Sequence, residues 1–201
     1  MRLDSLLERA RDYPIFTIEE CRKWFPETTR GTMLLELSQF AKRGKITRVK
    51  RGLYMTLSGK GLEPPVIASR IDPLAVIGLE SVLARAGIIP EVPFATVAVT
   101  TGKTRSFNIM NYGAIHFRHI KPALNFGWTT ENFGRYVVRV ASPEKALLDL
   151  FWYHRFERDP SGYIQELRLT IPKNFSWELF NRYAKIYDSE QIMNLAKILR
   201  E

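Results

Sequence analysis

The sequence is poor in the residues that build cross-linked or metal-centred scaffolds. It has one cysteine, Cys21, and three histidines in 201 residues. A lone thiol excludes an intrachain disulfide framework, a multi-cysteine zinc site and a cysteine-bound iron–sulfur cluster, and it fits a reducing compartment. Long apolar runs are also missing. The longest stretches, such as Pro73–Leu79, fall far short of the ~18 residues that a bilayer-spanning helix needs. The leading residues, MRLDSLLERARDYP, are amphipathic and charged, with no apolar centre of a secretory leader. The expectation is a cytoplasmic chain with no membrane partner. No tract is of low complexity and no segment repeats, which excludes fibrous and solenoid architectures.

Acidic residues are the next shortage. The chain carries 30 Lys+Arg against 21 Asp+Glu, a formal charge of +9. Such an excess favours polyanionic partners. It is also uneven: residues 1–60 hold 13 basic and 7 acidic side chains, so +6 of the +9 lies in less than a third of the chain. The segment SGKGLEPP at Ser58–Pro65 reads as a linker, and it divides the chain into domains 1–61 and 62–201.

The first domain reads as three helices and a hairpin. Leu3, Leu6, Leu7 and Ala10 recur at helical spacing until Tyr13–Pro14. Thr17 and Glu20 have the spacing of a capping box that opens a short helix through Trp24. Thr28 or Thr29 caps a third helix that runs to Gly44. Its apolar stripe is Met33, Leu34, Leu37, Phe40 and Ala41, and its polar face holds Thr32, Glu36, Gln39 and Arg43. A strand from Lys45, a turn at Lys50-Arg51-Gly52 and a return strand through Leu57 complete the hairpin. Six basic residues and no acidic ones lie between Lys42 and Arg51.

Helix, helix, helix and a basic hairpin is the order of a winged helix-turn-helix, in which one helix enters the major groove and the hairpin meets phosphates. The expected DNA contacts are Thr28, Thr29, Arg30, Thr32, Gln39 and Arg43 on the third helix. Lys45, Arg48, Lys50 and Arg51 are expected on the hairpin. The second domain alternates helix and strand signals, so the expected class is α+β: a winged helix-turn-helix followed by a mixed α/β domain. Strands are expected at Phe94–Thr100, Arg105–Met110, Ala114–Ile120 and Tyr136–Val140, with Ser142-Pro143-Glu144 as a strong helix start. Ser176 is expected to cap one later helix, and Asp188 with Gln191 the last.

Other candidate sites are weaker. His116 and His119 sit in a strand-like context that sends the rings to opposite faces, so no metal is expected. Thr100-Thr-Gly-Lys-Thr104 lacks the first glycine of a phosphate loop and reads as a turn. Its cations, with Arg118, His119 and Lys121, can extend a positive surface. Lys145 and Asp149, at i and i+4, are expected to pair on the exposed stripe of a mostly buried helix, with Glu144 in the first turn. The aromatics Trp152, Tyr153, Phe156, Trp177, Phe180 and Tyr183 read as helix-packing core, and Cys21 as a small buried filler. No catalytic residue and no cofactor is expected.

Three strings resemble one family. Ile46-Thr-Arg-Val-Lys-Arg-Gly-Leu-Tyr54, Leu79-Glu-Ser-Val-Leu-Ala-Arg-Ala-Gly87 and Val140-Ala-Ser-Pro-Glu-Lys-Ala-Leu-Leu-Asp149 are similar, in family order, to segments of AbiEi-type antitoxins and transcriptional regulators of type IV (abortive infection) toxin–antitoxin pairs. The resemblance implies a winged helix that represses its own operon from an operator and a second domain responsible for antitoxicity; the expected mechanism is operator occupancy by two protomers on an inverted repeat. It also implies a nucleotidyltransferase-type toxin as functional partner, without a stable complex. The chain departs from the pattern after Asp149, where Phe151, Trp152 and Tyr153 make it rich in aromatics. Two rival readings are a ligand-responsive repressor that stands alone, and a nucleic-acid-processing enzyme with its site in the second domain.

Overall fold

The computed structural model describes residues 1–57 and 62–200. Residues 58–61 of the expected linker lie outside them. The fold is α+β, and the chain divides into two compact units, Met1–Pro73 and Leu74–Glu201. The division falls after the helix that begins within the SGKGLEPP segment instead of before it. Among the described residues no helix is long and apolar enough to cross a membrane.

In the first unit the order is α1 (Leu3–Arg9), β1 (Ile15–Thr17), α2 (Ile18–Trp24), α3 (Arg30–Lys42), β2 (Ile46–Lys50), β3 (Leu53–Thr56) and α4 (Pro64–Ile71). The capping box forms as its spacing predicts: the Thr17 hydroxyl accepts from the Glu20 N–H, and the Glu20 carboxylate accepts from the Thr17 N–H at 2.7 Å. Thr29 caps α3 through the Thr32 N–H, and Gly44 follows it at φ +64°. Leu6, Phe16, Cys21, Met33, Leu37, Ile46 and Tyr54 form the core between the helices and the sheet. Leu34, expected in the apolar stripe, is instead exposed.

Strand β1 was not expected. Its three residues pair with β3 (Ile15 opposite Met55, Phe16 opposite Tyr54), so the hairpin is two strands of a sheet ordered β1-β3-β2. Every side chain of the central strand β3 is buried, which means that both sheet faces are covered. Helix α4 is fastened to this unit by an Arg70–Glu20 ion pair and by Lys50, whose Nζ donates to the Ile71 carbonyl at 2.6 Å.

Burial disfavours the Glu20 charge, but the Thr17 N–H and the Arg70 guanidinium outweigh it and hold the carboxyl below its ordinary value of 4.5. A depressed carboxyl contributes stability that is present above the unfolded value and lost as pH falls through the folded one. Glu20→Gln keeps the capping geometry and removes the charge. The expected result is a flatter fall in the first unit's urea midpoint between neutral pH and the acid side of 4.5. An acid fall as steep as that of the parent chain would show that Glu20 does not carry it.

The second unit runs β4 (Val76–Ile77), α5 (Leu79–Arg85), β5 (Ala95–Thr100), β6 (Arg105–Ile109), β7 (Gly113–His119), β8 (Trp128–Phe133), β9 (Tyr136–Ala141), α6 (Pro143–Tyr153), α7 (Pro160–Glu166), α8 (Trp177–Ile186) and α9 (Glu190–Ile198). Its strands form one mixed sheet, β6-β7-β5-β4-β9-β8. The pairs β5–β7 and β4–β9 are parallel. Helix α5 packs on α6, and α6 on α8 and α9. The cap of α9 is one residue later than expected. The Ser189 hydroxyl accepts from the Ile192 N–H, while Asp188 sits at φ +46° as the preceding turn residue.

Helix α6 starts as expected, with the Ser142 hydroxyl on the Lys145 N–H and Pro143 in first position. The expected exposed stripe does not exist, however. Lys145 is 1% exposed and Asp149 0%. Lys145 Nζ donates to Asp149 Oδ1 at 2.5 Å, and the Tyr187 hydroxyl donates to the same oxygen at 2.7 Å. Lys145 Nζ also lies 4.9 Å from the centre of the Phe126 ring and 5.3 Å from that of Tyr187. The other face of α6 is thus covered by α8 and by the residues before β8. Glu144 is buried too, and its Oε1 accepts from the Ser176 N–H at 2.8 Å.

Gly127 makes this closure possible. Its φ is +69°, and a Cβ there would lie 2.9 Å from Tyr183 Cε2 and 3.1 Å from Lys145 Cγ. Gly127→Ala combines left-handed backbone strain with overpacking and is expected to cost the second unit about 2 kcal/mol. Thermal unfolding checks this, and an unchanged midpoint would mean that the site relaxes freely.

Candidate nucleic-acid interface

Helix α3 and the hairpin position the expected DNA-contacting residues, and they do so unevenly. At the N-terminal end of α3 the hydroxyls serve the fold. Thr29 caps the helix and shares a 2.9 Å hydrogen bond with the Thr32 hydroxyl. Thr28 is half-buried, and Arg30 is exposed but 3.5 Å from Glu19, which also takes Arg22 at 3.0 Å. Glu36 is half-buried, and its carboxylate meets the Met1 ammonium at 2.8 Å.

The C-terminal end of α3 differs. Gln39, Lys42, Arg43, Lys45, Arg48 and Arg51 are all exposed. Among the described residues, no acid pairs with any of the five cations. They run from the end of α3 along β2 to the hairpin tip. Strand β2 has five residues, which at ~3.3 Å per residue makes the ridge roughly 17 Å long, about five base-pair steps of duplex. It lies at a free sheet edge, since β2 is the outer strand next to β3. Cations there also discourage pairing with another chain's edge.

Lys50 is not part of this ridge. The β2–β3 register shifts between Arg48 and Lys50: Arg48 stands opposite Tyr54 and Lys50 opposite Leu53. The bulge buries Val49 and turns Lys50 toward α4, where it satisfies the terminal carbonyl at Ile71. Its charge is half-buried and engaged.

In the second unit, the strand reading of the histidines holds: the His116 ring bonds Ser106 Oγ at 2.8 Å, and the His119 ring bonds the Gly102 carbonyl at 2.8 Å. Thr101–Thr104 connects β5 to β6, strand to strand, as the turn reading expects. Among the described residues no group of three or more His, Cys, Asp or Glu side chains is placed to hold a metal ion. Cys21 is buried, and that burial pushes its thiol up to about 11. Of the six aromatics expected in the core, Phe180 is buried but Phe156 is 73% exposed. Sequence spacing missed this because α6 ends at Tyr153, so Phe156 no longer follows the helical period.

No protein-family model matches the chain, and no curated protein matches it.

Proposed function

We propose that the protein is a DNA-binding transcriptional regulator, an autorepressor whose first unit is a winged helix-turn-helix. The observation that carries this reading is the ridge of Lys42, Arg43, Lys45, Arg48 and Arg51, five exposed cations with no acidic partner among the described residues, contiguous with the polar end of α3. In this reading α3 lies in the major groove, with Gln39 and Arg43 on its open face and Arg30 released from Glu19 on binding. The hairpin rests on the neighbouring phosphates. The Thr29 and Thr32 hydroxyls hold the helix end in shape for that approach.

The three family-like strings support the wider reading: repression of its own operon by two protomers on an inverted repeat, and antitoxin action against a nucleotidyltransferase-type toxin without a stable complex. No enzymatic activity and no cofactor belong to this proposal. Titrating the full chain against its own upstream duplex over a salt series tests the DNA-binding part. Five phosphate contacts give a log–log slope of about −4.5. A slope near zero would sink it. The antitoxin part is tested by whether co-expression relieves growth arrest caused by the toxin gene adjacent to its own. Unrelieved arrest would refute it.

A further inference from the structure

The carboxyl ends of the parallel strands β5 and β7, at Thr100 and His119, meet the C-terminal end of α6. The Tyr153 hydroxyl ties the junction by donating to the His119 carbonyl at 2.7 Å. Rings and cations alternate around it. The Arg155 guanidinium carbon lies 3.9 Å from the Trp152 ring centre and 4.4 Å from that of Phe156. Lys121 Nζ lies 5.6 Å from Trp152, and the Arg118 guanidinium lies 5.3 Å from Tyr153.

Two features of this cluster are not explained by folding. Phe156 leaves a large ring in water directly beside a stacked guanidinium. Among the described residues, no carboxylate pairs with Lys121 or Arg155, although one Arg155 N–H caps the Trp152 carbonyl. The nearby acids are engaged: Glu80 stands 4.0 Å from Arg118, and Glu157 lies 3.3 Å from the His154 ring.

We propose that this junction binds an unpaired stretch of nucleic acid. Bases stack on Phe156 and against the Arg155–Trp152 pair, and phosphates meet Lys121 and Arg118. Exposed aromatic faces interleaved with cations suit bases whose own faces are free. A duplex keeps those faces inside its own stack, so the rings add nothing for it. The site belongs to the second unit and the α3–hairpin ridge to the first, and each takes a different form of nucleic acid, so the two assignments fail or stand independently.

The test is fluorescence anisotropy of the full chain with labelled, unstructured oligonucleotides of about twelve nucleotides, as RNA and as DNA, beside a duplex. Phe156→Ala is expected to weaken single-strand binding about ten-fold, Phe156→Tyr to keep it, and neither to change duplex binding. Arg48→Ala with Arg51→Ala is expected to spare single-strand binding. Tighter binding of the RNA would name RNA as the natural strand, and equal binding either strand. Single-strand binding by Phe156→Ala equal to that of the parent chain, or an equal loss on duplex, would overturn the proposal.

Discussion

Replacing Asp149 with alanine is expected to cost the second unit about 3–5 kcal/mol, a large fraction of the stability of an ordinary domain. The carboxylate accepts from Lys145 and Tyr187 at one oxygen, inside a site that water does not reach. Burial works against both charges, lowering the Lys145 ammonium and raising the Asp149 carboxyl, and each partly restores the other. Among the described residues, losing Asp149 leaves the ammonium with the Phe126 and Tyr187 rings. Losing the whole network is different. Lys145→Met with Asp149→Leu and Tyr187→Phe removes both charges of the network together, and the triple variant is expected within about 1 kcal/mol of the parent chain. Calorimetric unfolding of both variants checks the pair. A mild Asp149→Ala, or a triple variant as unstable as the single one, would show that the network does not act as a unit.

Removing Arg48 and Arg51 together is expected to weaken duplex binding about sixty-fold near 0.1 M salt, because each lost phosphate contact forfeits a counterion-release factor of roughly eight. Both side chains are exposed on the outer strand and its turn, so their loss leaves the core intact. Lys50 is the internal contrast. Its ammonium serves the Ile71 carbonyl, so Lys50→Ala is expected to reduce stability by about 1 kcal/mol and to leave the salt dependence unchanged.

The helices of the first unit were legible because their signals are local. The Thr17–Glu20 box, the Thr29 cap and Gly44 each act within four residues of chain. Lys50 was misplaced because nothing in Arg48-Val-Lys50 announces a bulge, and one extra residue re-aims the side chain. Lys145 and Asp149 read as a surface pair because i, i+4 spacing is the same on an exposed and a buried face. Their burial depends on Phe126 and Tyr187, brought in from distant parts of the chain. Strands β1 and β4 are three and two residues long, too short for any period. Helix α7, by contrast, carries a local start signal in Asp159-Pro160, with Asp159 accepting from the Gly162 N–H. The ridge itself was legible as composition. Its alignment along one sheet edge needed the register.

The central claim is that the ridge along β2 grips duplex phosphates. Equilibrium binding of upstream DNA by the parent chain and by the Arg48→Ala, Arg51→Ala double variant, measured at several salt concentrations, tests it most directly. The account predicts a salt slope shallower by about 1.8 in the variant. Equal affinity and equal slope for the two proteins would contradict it.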